Sequence, residues 1–356
     1  MKTDHCPGCR LPRVFRYLVK WGDNGTVVIK MNPYFRVVLV ESDLLDDIYG
    51  RIEKTVGVPI RHIVIEAVRA GGKATFDAVL PKRFTWLMRN RPVLWAGARL
   101  IPVLGRMAGL ADVKVIFNHP FRGSMARTRN AFSPDIYVAM SMGAFESMEG
   151  IRYESTWVEL DEDTYMMNMP AKHVSHITER LAPEIVAPLP GELKVDVCPR
   201  CGLPVALSHL RWDLPNARII DTRRDVRMSF VDGYACSAVF RELVAELGDD
   251  IVPIIIEASH QYETRHIEET GLLAGERDRK SKFDDFLSSM PVTGQGNPVA
   301  REVSESTLFV TIENGYSPFL LAGQLLAAYE AIENVPGVVE VDEFAPQCIR
   351  VSVSPA

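Results

Sequence analysis

Apolar and polar positions along the chain predict two kinds of element in a fixed order. Strand-like segments come first, and two segments follow whose patterns are typical of helices, with apolar residues three and four positions apart. After a variable middle part comes another strand, and then Ser133-Pro134, where Ser suits a helix N-cap and Pro its first turn. The segments are RVFRYLVKW, GTVVIKM and FRVVLVE as strands, DLLDDIYGRIEKTVG and IRHIVIEAVRAGGKATFDAVL as helices, DVKVIFN as a strand, and YESTWVEL with TYMMNM as the closing strands.

The C-terminal half of the chain repeats this order of elements. Its strands, its two helices, its Ser317-Pro318 helix start and its closing strands follow one another as in the N-terminal half. Its segments are ARIID and VRMSFVDG, then SAVFRELVAELG and IVPIIIEASHQYETRHIEE, then STLFVTIEN, and at the end VVEVDEF with CIRVSVS. We therefore expect an α+β fold in which the helices of each half pack on an antiparallel sheet of that half.

Individual residues also repeat in the same order at two similar offsets. A shift of 191 positions places Trp21 on Trp212 and HIVIEA on PIIIEA, and a shift of 184 places Ser133 on Ser317. These matches predict a tandem repeat of two homologous modules related by a pseudo-twofold axis. The modules are residues 1–180 and 197–356, and a proline-rich, semi-rigid linker, residues 181–196, joins them.

Both halves resemble the 4-vinyl reductase domain, a small-molecule or hydrocarbon-binding family, over roughly two-thirds of the chain. The residues that carry the resemblance are IEAVRAGGKA and YVAMSMGAFESMEG in the first half, and IEASHQYE, LLAGQLLAAYEAIEN and VEVDEFAPQCIRVSV in the second. The resemblance implies a ligand-binding module that pairs about a twofold axis. Some members of the family hold zinc through cysteines of the closing strands, but only Cys348 stands there in this chain, so that site is not expected.

Two short cysteine-containing segments, which we call hooks, precede the two halves. The first hook is HCPGCRLP, residues 5–12, with Cys6 and Cys9, and the second is VCPRCGLP, residues 197–204, with Cys198 and Cys201. A structural zinc ion takes four ligands in a tetrahedron. Each hook supplies only two thiolates, so the four cysteines together predict one zinc site shared by both modules.

Three other interpretations of the hooks remain open from the sequence. A Cys-x-x-Cys segment can carry redox chemistry, although the βαβ context of thioredoxin-like proteins does not follow either hook. The four thiolates can also hold an iron–sulfur cluster, or lie reduced in tight turns without metal. We favour zinc over the iron–sulfur cluster.

Composition places the protein among ordinary globular chains. It has 356 residues, of which 47% are hydrophobic and 24% charged, a length that suggests two domains. The N-terminus has no apolar segment typical of a signal peptide, and no apolar run reaches the ~18 residues of a membrane span. Six cysteines in so long a chain do not suggest a disulfide scaffold, and we expect a cytoplasmic protein.

One segment differs from the rest of the chain in charge. Residues 82–129 carry ten Lys or Arg against one acid, Asp112, while the whole chain has a net charge of −6. This segment can form the wall of a pocket for a hydrophobic or anionic small molecule, lie on an anionic membrane, or simply pack with solvated arginines. The candidate pocket residues are Trp86, Trp95, Arg99, Phe117, Phe132, Tyr137 and Phe145.

The second half has no counterpart of the basic segment. Its middle, residues 271–302, is polar and contains Gly and Pro, which predicts a mobile loop. Next to it, Glu257, His260, Glu263 and His266 lie at steps of three on a predicted helix; a polar helix face is favoured there over a metal site.

The predicted function is binding or sensing of an apolar or anionic amphiphilic small molecule, without catalysis. Phosphate-binding glycine loops and nucleophile elbows do not occur in the sequence, and we assign no catalytic or organic-cofactor residues. Two alternatives stay open: an accessory or assembly subunit that docks a protein or membrane through residues 82–129, and an enzyme acting on a hydrophobic substrate. No nucleic-acid partner is expected.

Overall fold

The computed structural model describes residues 4–30, 32–79, 99, 101–172, 185–304, 306–345 and 347–356. The predicted α+β class is confirmed, because helices pack with several antiparallel sheets. The helices are α1 Phe15–Leu18, α2 Leu44–Val56, α3 Arg61–Val79, α4 Pro134–Glu149, α5 Gly233–Leu247, α6 Ile251–Thr270, α7 Arg279–Thr293 and α8 Pro318–Glu333. The strands are β1 Val19–Trp21, β2 Val27–Ile29, β3 Asn32–Glu41, β4 Asp112–His119, β5 Gly123–Arg129, β6 Arg152–Tyr153, β7 Thr156–Asp161, β8 Thr164–Lys172, β9 Leu210–Asp213, β10 Arg218–Asp221, β11 Val226–Asp232, β12 Asn297–Val303, β13 Leu308–Glu313, β14 Gly337–Ala345 and β15 Cys348–Pro355.

A six-stranded sheet joins the two halves of the chain. Its strand order is β1-β2-β3-β11-β10-β9, and β3 pairs with β11 in antiparallel register, with Leu39 opposite Phe230. The sequence predicted a separate sheet for each module, whereas these six strands form one. The physical reason is that β3 and β11 both carry buried apolar residues, and their pairing covers an edge that each would otherwise expose.

Two further sheets each draw their strands from one half. The first has the order β4-β5-β8-β6, with β7 also paired to β8, and α4 packs on it. The second has the order β12-β13-β15-β14 and carries α8. Both helices start as predicted: Ser133 accepts a hydrogen bond from the Ile136 amide and Ser317 from the Leu320 amide, with Pro as the next residue.

The helices form a layer in which helices of one half pack against helices of the other. Helix α2 packs on α6 of the other half, and α5 packs on α3, while α4 lies on α3 and α8 on α6. Glycine permits the closest approaches: a Cβ at Gly143 would lie 2.3 Å from the Arg69 carbonyl oxygen, and one at Gly323 would lie 2.5 Å from that of Ile256. The small-residue helices α4 and α8 therefore rest directly on neighbouring backbones.

Two sequence-based predictions of local structure were wrong. The mobile loop predicted over residues 271–302 contains α7 and β12, and the apolar residues of α7 are buried at helical spacing: Phe283, Phe286, Leu287 and Met290. The many charged residues between them hid this narrow stripe. The predicted first strand, RVFRYLVKW, contains the short helix α1, which seats Phe15 in the core.

A buried carboxyl group at the start of α5 makes the stability of the fold sensitive to pH. Asp232 caps this helix by accepting hydrogen bonds from the amides of Tyr234 (2.9 Å) and Ala235 (3.1 Å). Burial raises the pKa of Asp232 from 3.8 to about 6. Because the folded-state pKa is raised, stability from this group is present below pH 3.8 and is lost as the pH rises through about 6. A rise of this size corresponds to about 3 kcal/mol.

We expect Asp232→Asn to remove this loss, since Asn is as good an N-cap as Asp. Urea unfolding of both proteins between pH 4 and 8 should show the variant gaining relative to the native chain as the pH rises. An equal difference in unfolding free energy at pH 4 and pH 8 would contradict the assignment.

Candidate functional site

Each hook is a tight turn closed by the same backbone bonds. The Cys6 amide donates to the Leu11 carbonyl at 2.9 Å, and the Cys198 amide donates to the Leu203 carbonyl at 2.8 Å. Both leucines are buried, so each turn is fixed to the core by the residue that closes it. The repeated Cys-Pro-x-Cys-x-Leu-Pro sequence thus folds into two copies of one local structure.

The two turns share a left-handed backbone conformation at one matching position. Gly202 has a φ of 73°, in the left-handed region that glycine adopts freely, and Arg10 occupies the matching position of the first hook with a φ of 63°. Gly8 marks where the hooks meet, because a Cβ there would lie 3.1 Å from Cys198 Sγ and 3.3 Å from Arg200 Cδ. The hooks are therefore in close contact across the two halves.

Four buried thiols meet where the hooks touch, and we call them the cysteine centre: Cys6, Cys9, Cys198 and Cys201. All four sulfur atoms lie within 4.8 Å of one another, with Cys6 and Cys198 3.8 Å apart and Cys9 and Cys201 3.4 Å apart. A tetrahedral ion with metal–sulfur bonds near 2.3 Å requires sulfur atoms about 3.8 Å apart. The centre therefore fits a single metal ion held by both halves, as the sequence predicted.

The thiols of the centre differ in how readily they ionise. Amide groups of Cys9 and Gly8 donate to the Cys6 thiolate and lower its pKa to about 6. Burial instead raises the pKa of Cys9 to about 12 and also raises the pKa of Cys201. Four ionised thiolates so close together need a positive charge among them, which a divalent metal supplies.

The cysteine centre rests on one face of the six-stranded sheet. Successive side chains of β3 point to opposite faces of the sheet, so Leu39 lies on the side of the hooks and Val38 lies on the side of the helices. Phe15 packs between the halves, with its ring centre 5.1 Å from that of Trp212 and 6.0 Å from that of Phe230. The centre thus lies over the junction of β3 and β11.

Hydrogen bonds across the junction come in matching pairs. Trp21 donates its indole N–H to the Val292 carbonyl at 2.9 Å, and Trp212 donates to the Met107 carbonyl at 3.1 Å. Each tryptophan therefore binds a carbonyl of the opposite half.

Buried Arg36 and half-buried Arg227 also form hydrogen bonds that cross the junction in opposite directions. Arg36 donates to the Gly294 carbonyl (2.8 Å) and the Asn314 carbonyl of the second half, and Arg227 donates to the Gly109 carbonyl (2.9 Å) of the first. Burial lowers the pKa of each arginine to about 10. These guanidinium groups fix the halves to each other through backbone oxygen atoms.

A groove of about 470 Å³, which we call the hook groove, opens beside the cysteine centre. One side is formed by β1 and its flanking residues, and the other by the extended segment 193–197 and the second hook. It is a cavity to which both halves contribute.

The structure does not gather the predicted pocket residues around this groove. Phe132, Tyr137 and Phe145 are buried in the main hydrophobic core, and Phe117 and Arg99 are exposed. Trp86 and Trp95 lie outside the described residues, as do all other residues from 82 to 98 of the basic segment and residues 181–184 of the linker.

In the described remainder of the basic segment, Arg106 and Arg129 both pair with Asp112. None of the helices in the described part of the chain is long and apolar enough to cross a membrane.

The polar face of α6 binds neighbouring elements rather than a common ion. His260 Nε2 lies 2.7 Å from the Glu330 carboxylate, and His266 Nδ1 lies 3.0 Å from Glu41. Burial raises the pKa of Glu263. Within the described ranges, the cysteine centre is the one cluster of three or more potential metal ligands arranged to hold an ion.

Sequence reasoning missed a buried ion pair in the first half. Arg69, 3% exposed, donates to the fully buried Glu146 at 2.5 Å and also to Glu66. The repeat offsets could have revealed this pair, because they align Arg69 with His260 and Glu146 with Glu330. His260 and Glu330 form the corresponding contact in the second half.

Comparison with known proteins gives little. No protein-family model matches the chain, and no curated protein matches it. A solved structure described as "crystal structure of the phenol-responsive sensory domain of the transcription activator PoxR with Phenol" is 14% identical, covers 41% of this chain and 85% of its own, and has a TM-score of 0.34. At this TM-score the likeness says nothing further about the fold or function of this chain.

Proposed function

We propose that this chain is a tandem small-molecule-binding protein whose two halves are held together by one structural zinc ion. The observation that carries the zinc site is the cluster of four buried thiols within 4.8 Å, two from each hook. Cys6, Cys9, Cys198 and Cys201 would bind the ion as thiolates. Zinc would supply no redox chemistry there and would act only as a cross-link between sequence-distant turns.

The arrangement of the sulfur atoms supports a single ion over the alternatives. Cys6 lies next to Cys198 and Cys9 next to Cys201, across the hooks, whereas a redox Cys-x-x-Cys segment forms its disulfide within itself. A multinuclear iron–sulfur cluster places several iron and sulfide atoms between its thiolates and needs a wider separation than the one seen. Closed sites of four cysteines are typical of structural zinc.

We further propose that the halves are 4-vinyl-reductase-like modules related by a pseudo-twofold axis. The support is the regularity of the offsets: Leu39 pairs with Phe230, its own equivalent at a shift of 191. The tryptophan and arginine bonds across the junction run in both directions, as a twofold axis requires.

The bound molecule is proposed to be apolar or anionic and amphiphilic. The family resemblance supports a hydrophobic ligand, and the excess of cations over residues 82–129 supports a negative charge on it. Binding is favoured over catalysis because conspicuous ionisable groups such as Arg69 and His266 form pairs between packed elements. Sensing or delivery of the ligand would follow from such binding.

Native mass spectrometry with elemental analysis tests this function. We expect one zinc ion per chain, lost on treatment with a strong chelator at neutral pH, and an additional small-molecule mass released on denaturation. Iron at one equivalent, or a chain without metal that unfolds at the same temperature with and without chelator, would contradict the zinc site. A zinc-loaded chain that carries no small molecule and captures a specific protein would instead support the accessory-subunit alternative.

A further inference from the structure

We propose that the hook groove is where this protein holds its ligand, an amphiphile with an apolar body and an anionic head. The inference rests on the proposed binding function and adds the location of the site and the chemistry of its walls. Both halves build the groove, so the site exists only when the two halves are in contact. With a volume of about 470 Å³ it falls in the range of small-molecule sites.

One wall of the groove is apolar and is formed by alternate residues of a single segment. Segment 193–197 is extended, and its alternate residues Leu193, Val195 and Val197 line the groove while the intervening polar residues are exposed. The Leu193 amide donates to the Asp23 carbonyl at 2.7 Å, which ties this segment to the turn after β1. The facing apolar residues are Val19, Trp21 and Leu203.

Cations dominate the polar part of the lining. Arg16, Lys20 and Lys30 line the groove against one acid, Asp23. Lys30 Nζ donates to the Arg16 carbonyl at 2.5 Å, which holds the Lys30 ammonium group beside the backbone of Arg16. Three exposed cations beside an apolar wall select a ligand that is negative at one end and hydrophobic at the other.

The groove also touches the cysteine centre. Cys201 and the two residues after it form part of its lining, and the Leu203 amide donates to the Cys201 thiol. A ligand in the groove therefore packs against the turn that carries two of the four cysteines, Cys198 and Cys201. Because coupling between two sites is reciprocal, such a ligand should slow loss of the metal, and the metal should strengthen binding of the ligand.

The test uses 1-anilinonaphthalene-8-sulfonate, an anionic amphiphile whose fluorescence reports binding, with the full-length zinc-loaded protein. Lys20→Glu should weaken its binding at least tenfold. The matched control is Arg211→Glu, which makes the same charge change at the repeat-equivalent position of β9, is also exposed and does not line the groove. This control should bind the probe within twofold of the native chain.

A second variant fills the groove instead of changing its charge. Val195→Trp should also reduce probe binding at least tenfold. A separate measurement follows the release of zinc to a chelator: saturating probe should slow this release in the native chain but not in Lys20→Glu. Near-ultraviolet circular dichroism and zinc content must match the native protein, since partly unfolded chains bind this probe nonspecifically.

The outcomes distinguish an error in the proposed location of the site from an error in the proposed binding function. Native-like probe binding by both groove variants would overturn the location while leaving a binding protein. A native chain that contains zinc but binds no probe would instead speak against the proposed amphiphile-binding function itself.

Discussion

Replacing Cys198 with Ser should cost the protein most of its bound zinc and lower its free energy of unfolding. Mutation of residues that only hydrogen-bond to a metal ligand lowers metal affinity roughly 10–100-fold. Loss of a direct ligand should therefore weaken zinc binding more than 100-fold, which corresponds to about 3 kcal/mol or more. The two hooks lie 192 positions apart in the chain and join at this site, so stability falls together with metal content. Elemental analysis and thermal unfolding on the same samples measure both.

The control for this variant is Cys348→Ser. Cys348 is half-exposed and lies in β15, away from the cysteine centre, so its replacement should leave zinc content unchanged and shift the unfolding temperature little. Chelation of the native chain should reproduce the stability of Cys198→Ser. Full zinc occupancy in Cys198→Ser would show that the four thiols do not share an ion.

The second large effect is expected at Arg69. Its removal as Arg69→Met leaves the Glu146 carboxylate buried without its cation, and breaking a buried pair in this way costs about 3–5 kcal/mol. Burial already raises the pKa of Glu146 in the native chain, and it rises further once the guanidinium is gone. Because a raised carboxyl pKa favours folding at low pH, the cost should be greatest above neutrality and shrink as the pH falls toward 5.

Two further variants make this result specific. In Arg69→Met with Glu146→Gln, the side-chain oxygen still accepts the Tyr153 amide hydrogen bond, and most of the lost stability should return. His260→Met is the equivalent change in the second half, and it should cost less because Glu330 is 27% exposed and keeps contact with water. Urea unfolding at pH 5 and pH 8 measures all three. A loss below about 1 kcal/mol for Arg69→Met at pH 8 would contradict a buried, charge-dependent pair.

Much of the local structure follows from short stretches of sequence. The Ser-Pro helix starts, the helices α2, α3, α5 and α6 and the closing strands follow from capping residues and apolar periodicity, since each depends on residues within a few positions of one another. Helix α7 was missed because its buried residues lie among charged ones, so the mean hydropathy of the segment is low and only tertiary contacts reveal the apolar face.

The sequence by itself determined that a similar order of segments recurs in the second half and that each hook carries two cysteines, because both features are visible without coordinates. Only the tertiary structure decided that β3 joins β11 in a shared sheet, that Arg69 pairs with buried Glu146, and that a groove opens beside Cys201. These contacts connect residues far apart in the chain. Their energies come from burying edges, charges and apolar walls against partners that local periodicity does not specify.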